Sequence, residues 1–297
     1  MAEMVQVQKK RKRDKQTKRV NRSTAGTVVL FIFLIIFALF MVIPMWLAIV
    51  NSLKPLSELW EFPPKLYVRS PTFKNFTDMF NIMSDSLVPF TRYIFNTVFI
   101  TGLGTAGNII LASMCAFPLA KKKFPGKDWI FEVIVLSLMF NGTVTAIPNY
   151  IIMSSIGWID TAASLIVPAF ASTLGLYLMK QFMEQSVPSS LLEAARIDGA
   201  SQWLTFWKIV MPCVKPAWLT LLLLSVQSLW NLGSSTFIFS DEKKTLMYAL
   251  NQIVSGGIAR AGVGAAVSVF MMIVPIGIFI FSQSNIIDTM ATSGMKD

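Results

Sequence analysis

Six stretches without a single charged residue set the terms for this chain: residues 27–50, 93–120, 133–159, 161–179, 216–240 and 261–287. They run 24, 28, 27, 19, 25 and 27 residues. A helix needs about 20 apolar residues to cross the hydrocarbon layer of a bilayer, so each is long enough. Backbone groups in lipid must be satisfied within the segment, which makes the spans helical. The expectation is an all-α polytopic membrane protein with six transmembrane helices. Composition agrees: 54% of the 297 residues are hydrophobic and 14% are charged, against about 25% charged in a soluble domain. A seventh uncharged run, 245–259, has 15 residues and contains Asn251, Gln252, Gly256 and Gly257. It is too short and too polar to span, and reads as an external loop helix or a partly re-entrant segment.

The net charge of +10 is unevenly placed, with nine of the 26 basic residues between Lys9 and Arg22. Directly ahead of an apolar span, such a run acts as a topological signal and a contact for anionic lipid. Nucleic-acid binding would want an aromatic platform or a folded basic face, and neither accompanies it. The apolar run that follows exceeds a signal-peptide core of about 7–15 residues, so it reads as an uncleaved first span. With the N-terminus inside, 18 basic residues lie on the inner side and eight on the outer. The positive-inside rule then puts both termini in the cytoplasm of a plasma membrane. The chain divides into a basic cytoplasmic tail (1–26), a first span (27–50), an external segment (51–92), a five-helix core (93–287) with a cytoplasmic loop at 188–214, and a cytoplasmic C-terminal tail (288–297).

Catalysis is not written into the sequence. There is no histidine, no G-x-x-x-x-G-K-[ST] phosphate loop and no H-E-x-x-H, so no metal site and no ATP hydrolysis by this chain alone are expected. The cysteines, Cys115 and Cys213, form no cluster. The six runs hold no ionisable residue, which argues against an ion-coupled secondary transporter. They do hold neutral polar groups: Asn96, Asn108, Asn141, Asn149, Gln227, Ser228 and Asn231. In lipid these face other helices or water, and interhelical hydrogen bonding and pore lining are equally open for each. Gln227, Ser228, Trp230 and Asn231 fall within about one and a half turns of the fifth run. An amide beside an aromatic ring suits a sugar, so this cluster, with Asn96, Asn141 and Asn149, is the candidate translocation path. Gly102/Ala106 and Gly262/Ala266 have the small-x-x-x-small spacing of close helix packing.

The longest polar interruption in the C-terminal half is SLLEAARIDGASQWLTFWKIVMP, residues 190–212. Ser190 and Glu193 have capping-box spacing, predicting a helix that starts there. Gly199 is placed to stop it in the left-handed conformation. Ser201 is placed to cap a second helix over 202–210, with Pro212 ending it.

Glu193-Ala194-Ala195, Asp198-Gly199-Ala200, Ile209, Pro212 and Pro216 together resemble the EAA loop of type I ABC importer permeases. Within that family the chain looks most like the maltose-type carbohydrate group, the smaller partner with six spans. The GWIDT string at 157–161 and the stretch 261–295 support this, while the final residues look closer to a related oligosaccharide subgroup. The resemblance implies a MetI-like permease fold and a loop whose Glu193, Ala194, Ala195, Arg196, Asp198 and Gly199 couple to an ATPase. It implies a second homologous permease as heterodimer partner, two ATPase subunits carrying ATP and Mg, an extracytoplasmic solute-binding protein, and a sugar or oligosaccharide cargo. No cofactor is expected on this chain. Import of a non-sugar solute, or an ATP-independent channel or secondary transporter, are the alternatives.

Overall fold

The computed structural model describes residues 24–84, 88–140, 142–233, 236–255, 257 and 260–293. Asn141 and most of the basic tail lie outside the described residues. Among the described residues there is helix and no strand.

The first helix, α1 (Thr24–Ser52), is apolar on every side. From Ala25 to Trp46 it is exposed all round, as expected of a helix facing lipid. It packs chiefly on the last helix, α13 (Ala261–Ser293). The external segment contributes two short helices, α2 (Leu56–Leu59) and α3 (Lys74–Ser84). From α3 the Asn75 amide donates to the Ser52 and Lys54 carbonyls, 2.8 Å each, and so closes the end of α1. Gly262 leaves room for this same side chain: a Cβ there would lie 2.4 Å from Asn75 Oδ1.

The central helix is α4 (Phe90–Lys121). It packs on α7 (Ala163–Phe170), α8 (Thr173–Ser186) and α11 (Lys215–Trp230). Gly107 makes the closest approach, since a Cβ would meet the Phe170 ring at 2.1 Å. The expected contact at Gly102 is absent, with nothing within 4 Å of its Cβ direction. At 100° per residue, Gly102 faces about 200° away from Gly104, and it is Gly104 that receives Leu229.

The helices α1, α4, the nearly continuous α7–α8 pair (Ala163–Ser186) and α13 are long and apolar enough to cross a membrane. A fifth crossing follows if α10 (Gln202–Cys213) and α11, bent by 79°, count together. The third apolar run is covered by two shorter helices, α5 (Lys127–Ser137) and α6 (Gly142–Ser155). The uncharged run 245–259 contains a helix, α12 (Leu246–Val254), and it is well packed: Leu246, Leu250 and Ile253 are buried against Met79, Val226 and Val267.

Contacts along α4 define two ends of the bundle. Near its start, the Asn96 amide donates to the Glu242 and Lys244 carbonyls (2.8 and 3.0 Å), and Thr97 Oγ1 accepts from the Leu246 N–H (2.8 Å). Near its finish, the Lys121 ammonium donates to the Glu184 carbonyl (3.1 Å) and the Phe117 ring lies 5.6 Å from that of Phe206. Segment 241–254 and the loop around 189–213 therefore sit at opposite ends.

Candidate functional site

The loop begins with α9 (Ser189–Ile197), whose N-cap is Pro188 with no side-chain cap. The capping box expected from Ser190 and Glu193 is not formed. Pro188 sets the cap two residues earlier, and Ser190 then falls inside the first turn, where its hydroxyl is out of place for capping. The other end matches the expectation from Gly199. Its φ is +73°, its N–H donates to the Arg196 carbonyl (3.1 Å), and the Ala200 N–H donates to the Ala195 carbonyl (2.9 Å). Those are the two hydrogen bonds of a Schellman closure.

Ser201 caps α10 as expected, accepting from the Leu204 N–H at 3.2 Å. This helix does not end at Val210. It widens into a π turn over Phe206–Val210 and continues through Cys213 before bending at Val214. The wide turn just ahead of Pro212 accommodates the ring and its missing donor, which a regular helix would reject. Phe206, Val210 and Val214 are fully packed against Ala112 and Ala116 of α4 and Met179 and Met183 of α8.

One side of α9 is held by the bundle and the other is bare. Ala195 is buried, and Leu192 is half-buried against the same cluster. Glu193, Ala194, Arg196, Asp198 and Gly199 are exposed. Ile197 is 86% exposed and carries the apolar end of α9 away from the bundle. A cleft of about 350 Å³ separates α9 from Lys121, Lys122 and Lys123, with Glu193 and Arg196 on its wall.

The candidate translocation residues do not form one cluster. Helix α11 stops at Trp230, and Asn231 is its C-cap. The four residues thus occupy a helix end at the 241–254 side of the bundle, not the middle of a span. Gln227 and Asn231 line a cavity of about 810 Å³ against α1, α12 and α13, and the Asn231 amide donates to the Gln227 carbonyl (2.8 Å). Ser228, one residue round the helix, lines a different cavity of about 420 Å³ together with Asn108. Trp230 is buried, and its indole N–H donates to the Met271 carbonyl at 3.1 Å, so its ring packs the core and lines neither cavity. Asn96 is committed to the 242–244 backbone as above. Asn149 is exposed on α6, and Asn141 lies outside the described residues.

Three other groups stand outside the candidate path expected from the sequence, although Asn108 is among the polar residues of the spans. Asn108 donates to Ser225 Oγ at 2.6 Å, and its Oδ1, with the hydroxyls of Thr101 and Thr105, is buried without a partner. With Thr97 these form a polar row on one face of α4, legible from the i, i+4 spacing of the threonines. Arg260 and Asn251 reach the 810 Å³ cavity only through tertiary packing. Asp160 has φ +59° and clamps the segment 239–243. Its carboxylate accepts from the Phe239 N–H (3.0 Å), the Ser240 N–H (2.9 Å) and hydroxyl, and the Lys243 ammonium (3.0 Å). The Ser240 hydroxyl and N–H, then Lys243, hold this carboxyl well below the usual carboxylate range.

A model of the family of binding-protein-dependent transport system inner membrane components matches residues 7–291. The chain belongs to that family. Such permeases are non-catalytic membrane components of transport systems, and this one is built on the all-α, MetI-like fold. Among similar proteins, Protein LplC of Bacillus subtilis is 32% identical over 174 residues, 54% of this permease and 58% of LplC. The polygalacturonan/rhamnogalacturonan transport system permease protein YtcP of Bacillus subtilis is 29% identical over 76% of this permease and 77% of YtcP. A crystal structure of a bacterial ABC transporter involved in the import of the acidic polysaccharide alginate contains a chain with the same fold. Its TM-score is 0.74, at 24% identity over 89% of this permease and 98% of that chain.

Proposed function

We propose that this permease is the membrane subunit of an ABC importer for a sugar or oligosaccharide, with Glu193–Gly199 as the element that receives force from a separate ATPase. The observation that carries the reading is the two-sidedness of α9. A helix sealed at its far end by Gly199 and seated through Ala195 holds Ile197 almost wholly in the open. A rigid element with an uncovered apolar tip fits a groove on a partner, the helix-in-groove mode of recognition. Beyond the Gly199 turn, Trp203, Phe206 and Trp207 form an aromatic cluster with ring centroids 5.0–6.3 Å apart, and Phe206 meets Phe117 of α4. A push on α9 thus moves α10, and the bend at Val214 carries the motion into α11.

The permease works with a second homologous permease, two ATPase subunits that bind ATP and Mg, and an extracytoplasmic solute-binding protein. Both termini and the α9 loop face the cytoplasm, and segment 241–254 faces outward. The sugar assignment draws on YtcP, whose name specifies a polysaccharide transport system. The test is reconstitution of the complete importer in liposomes with its binding protein. ATP-dependent accumulation of a labelled oligosaccharide is expected; accumulation that proceeds without ATP would contradict the reading.

A further inference from the structure

We infer that the 810 Å³ cavity beside Gln227 and Asn231 is a cargo site for a short saccharide bearing a carboxylate, and that Arg260 is the residue that selects the charge. The inference rests on the importer reading above and narrows it to acidic cargo. Four observations meet at this cavity. Its volume lies within the roughly 300–1,000 Å³ range of ligand sites. Its polar lining consists of three amides, Gln227, Asn231 and Asn251, with Ser268 and Arg260, and none of its lining residues is acidic. Asn231 spends one of its two N–H donors on the Gln227 carbonyl and Ser268 its hydroxyl on the Gly264 carbonyl (3.0 Å), which leaves Asn231 Oδ1 and Ser268 Oγ free to accept from sugar hydroxyls. Among the described residues, the Arg260 guanidinium makes no hydrogen bond or ion pair. Asp241 lines the neighbouring cavity that Arg260 also reaches, but it is paired with Lys244 at 2.6 Å.

A guanidinium keeps its charge in proteins and presents a planar fork of donors matched to a carboxylate. Left half-buried without an anion, it is poorly satisfied. A uronic acid supplies the missing carboxylate, and its hydroxyls suit the amides. The lining contains no aromatic ring, because Trp230 turns into the core, so the strong face-stacking that would trap a sugar is missing. Weak, charge-selected occupancy suits a site that cargo must leave.

The test uses the complete importer with its binding protein in liposomes of neutral lipid, with labelled digalacturonate and neutral disaccharides as probes. Arg260→Gln and Arg260→Lys are compared with wild type at matched insertion and matched unstimulated ATPase rate. Wild type is expected to accumulate digalacturonate faster than the neutral probes. Arg260→Gln is expected to lower digalacturonate uptake at least tenfold, and Arg260→Lys to stay within about threefold of wild type. Unchanged uptake in Arg260→Gln, equal losses in both variants, or a wild type that prefers neutral disaccharides would each overturn the inference. So would an Arg260 effect that appears only when anionic lipid is added, since that marks a headgroup site. Import of neutral sugars alone would leave the carbohydrate reading standing; import of no saccharide removes that reading as well.

Discussion

The Ala200 amide donates to the Ala195 carbonyl at 2.9 Å, across the left-handed Gly199, so the one buried residue of Glu193–Gly199 is tied to the residue just ahead of the Ser201 cap of the next helix. The turn between α9 and α10 is thereby fixed by backbone geometry and not by a side chain that could rotate away. Nothing lies within 4 Å of a Cβ built on Gly199, so its requirement is conformational alone. A β-branched residue there carries a strain of about 1–2 kcal/mol. Gly199→Val is expected to insert and pair normally yet lose cargo-stimulated ATP hydrolysis by about tenfold or more. ATPase assays on the reconstituted complex measure this directly.

Trp230 and Met271 separate a packing role from a cargo role. Trp230→Phe removes the indole donor and costs about 1 kcal/mol; Trp230→Ala also empties a buried site and costs about 3–5 kcal/mol. Thermal unfolding of the detergent-solubilised complex should register both in that order. The concentration dependence of uptake should move little with Trp230→Phe, because the ring does not line the cavity that holds Gln227 and Asn231.

Much of the architecture is readable in the residues, and the gaps have physical causes. The uncharged runs mark the apolar segments because charge is costly in lipid. They do not locate the turn between α5 and α6, although the Asn141-Gly142 step is a turn signal inside that run. Gly199 is legible because few residues tolerate its conformation. The start of α9 is not, because Pro188 and Ser190 offer competing starts two residues apart. Neighbours in sequence also diverge in space: Gln227 and Ser228 are 100° apart on α11 and enter different cavities. Arg260 reads from sequence as one more outer charge, and only the packing of α12 and α13 puts it beside three amides.

Gly107 and Gly102 make a matched pair on one helix. Alanine at Gly107 would drive a methyl group into the Phe170 ring, an overpacking cost of about 1–3 kcal/mol. Alanine at Gly102 meets no protein atom and should stay within about 0.5 kcal/mol of wild type. Chemical-denaturant or thermal unfolding of the two variants distinguishes them.

Asp160 predicts a pH response with a definite direction. Its folded pKa lies below its unfolded value, so the clamp on 239–243 stabilises fully above about pH 4 and fades as pH falls through the lower, folded value. Hydrogen exchange of 237–243 should therefore be flat between pH 8 and pH 5 after correction for intrinsic rates. Asp160→Asn should raise exchange of that segment across the whole range, with no acid-dependent step of its own.

The central claim is that the exposed tip of α9 docks on an ATP-hydrolysing subunit. Ile197→Cys, in a chain with Cys115 and Cys213 replaced by alanine, can be probed in intact cells with a short homobifunctional thiol-to-amine cross-linker. The account predicts an adduct between this permease and a nucleotide-binding subunit, formed only with a membrane-permeant reagent. An adduct formed equally well by an impermeant reagent from outside, with no nucleotide-binding subunit attached, would contradict it.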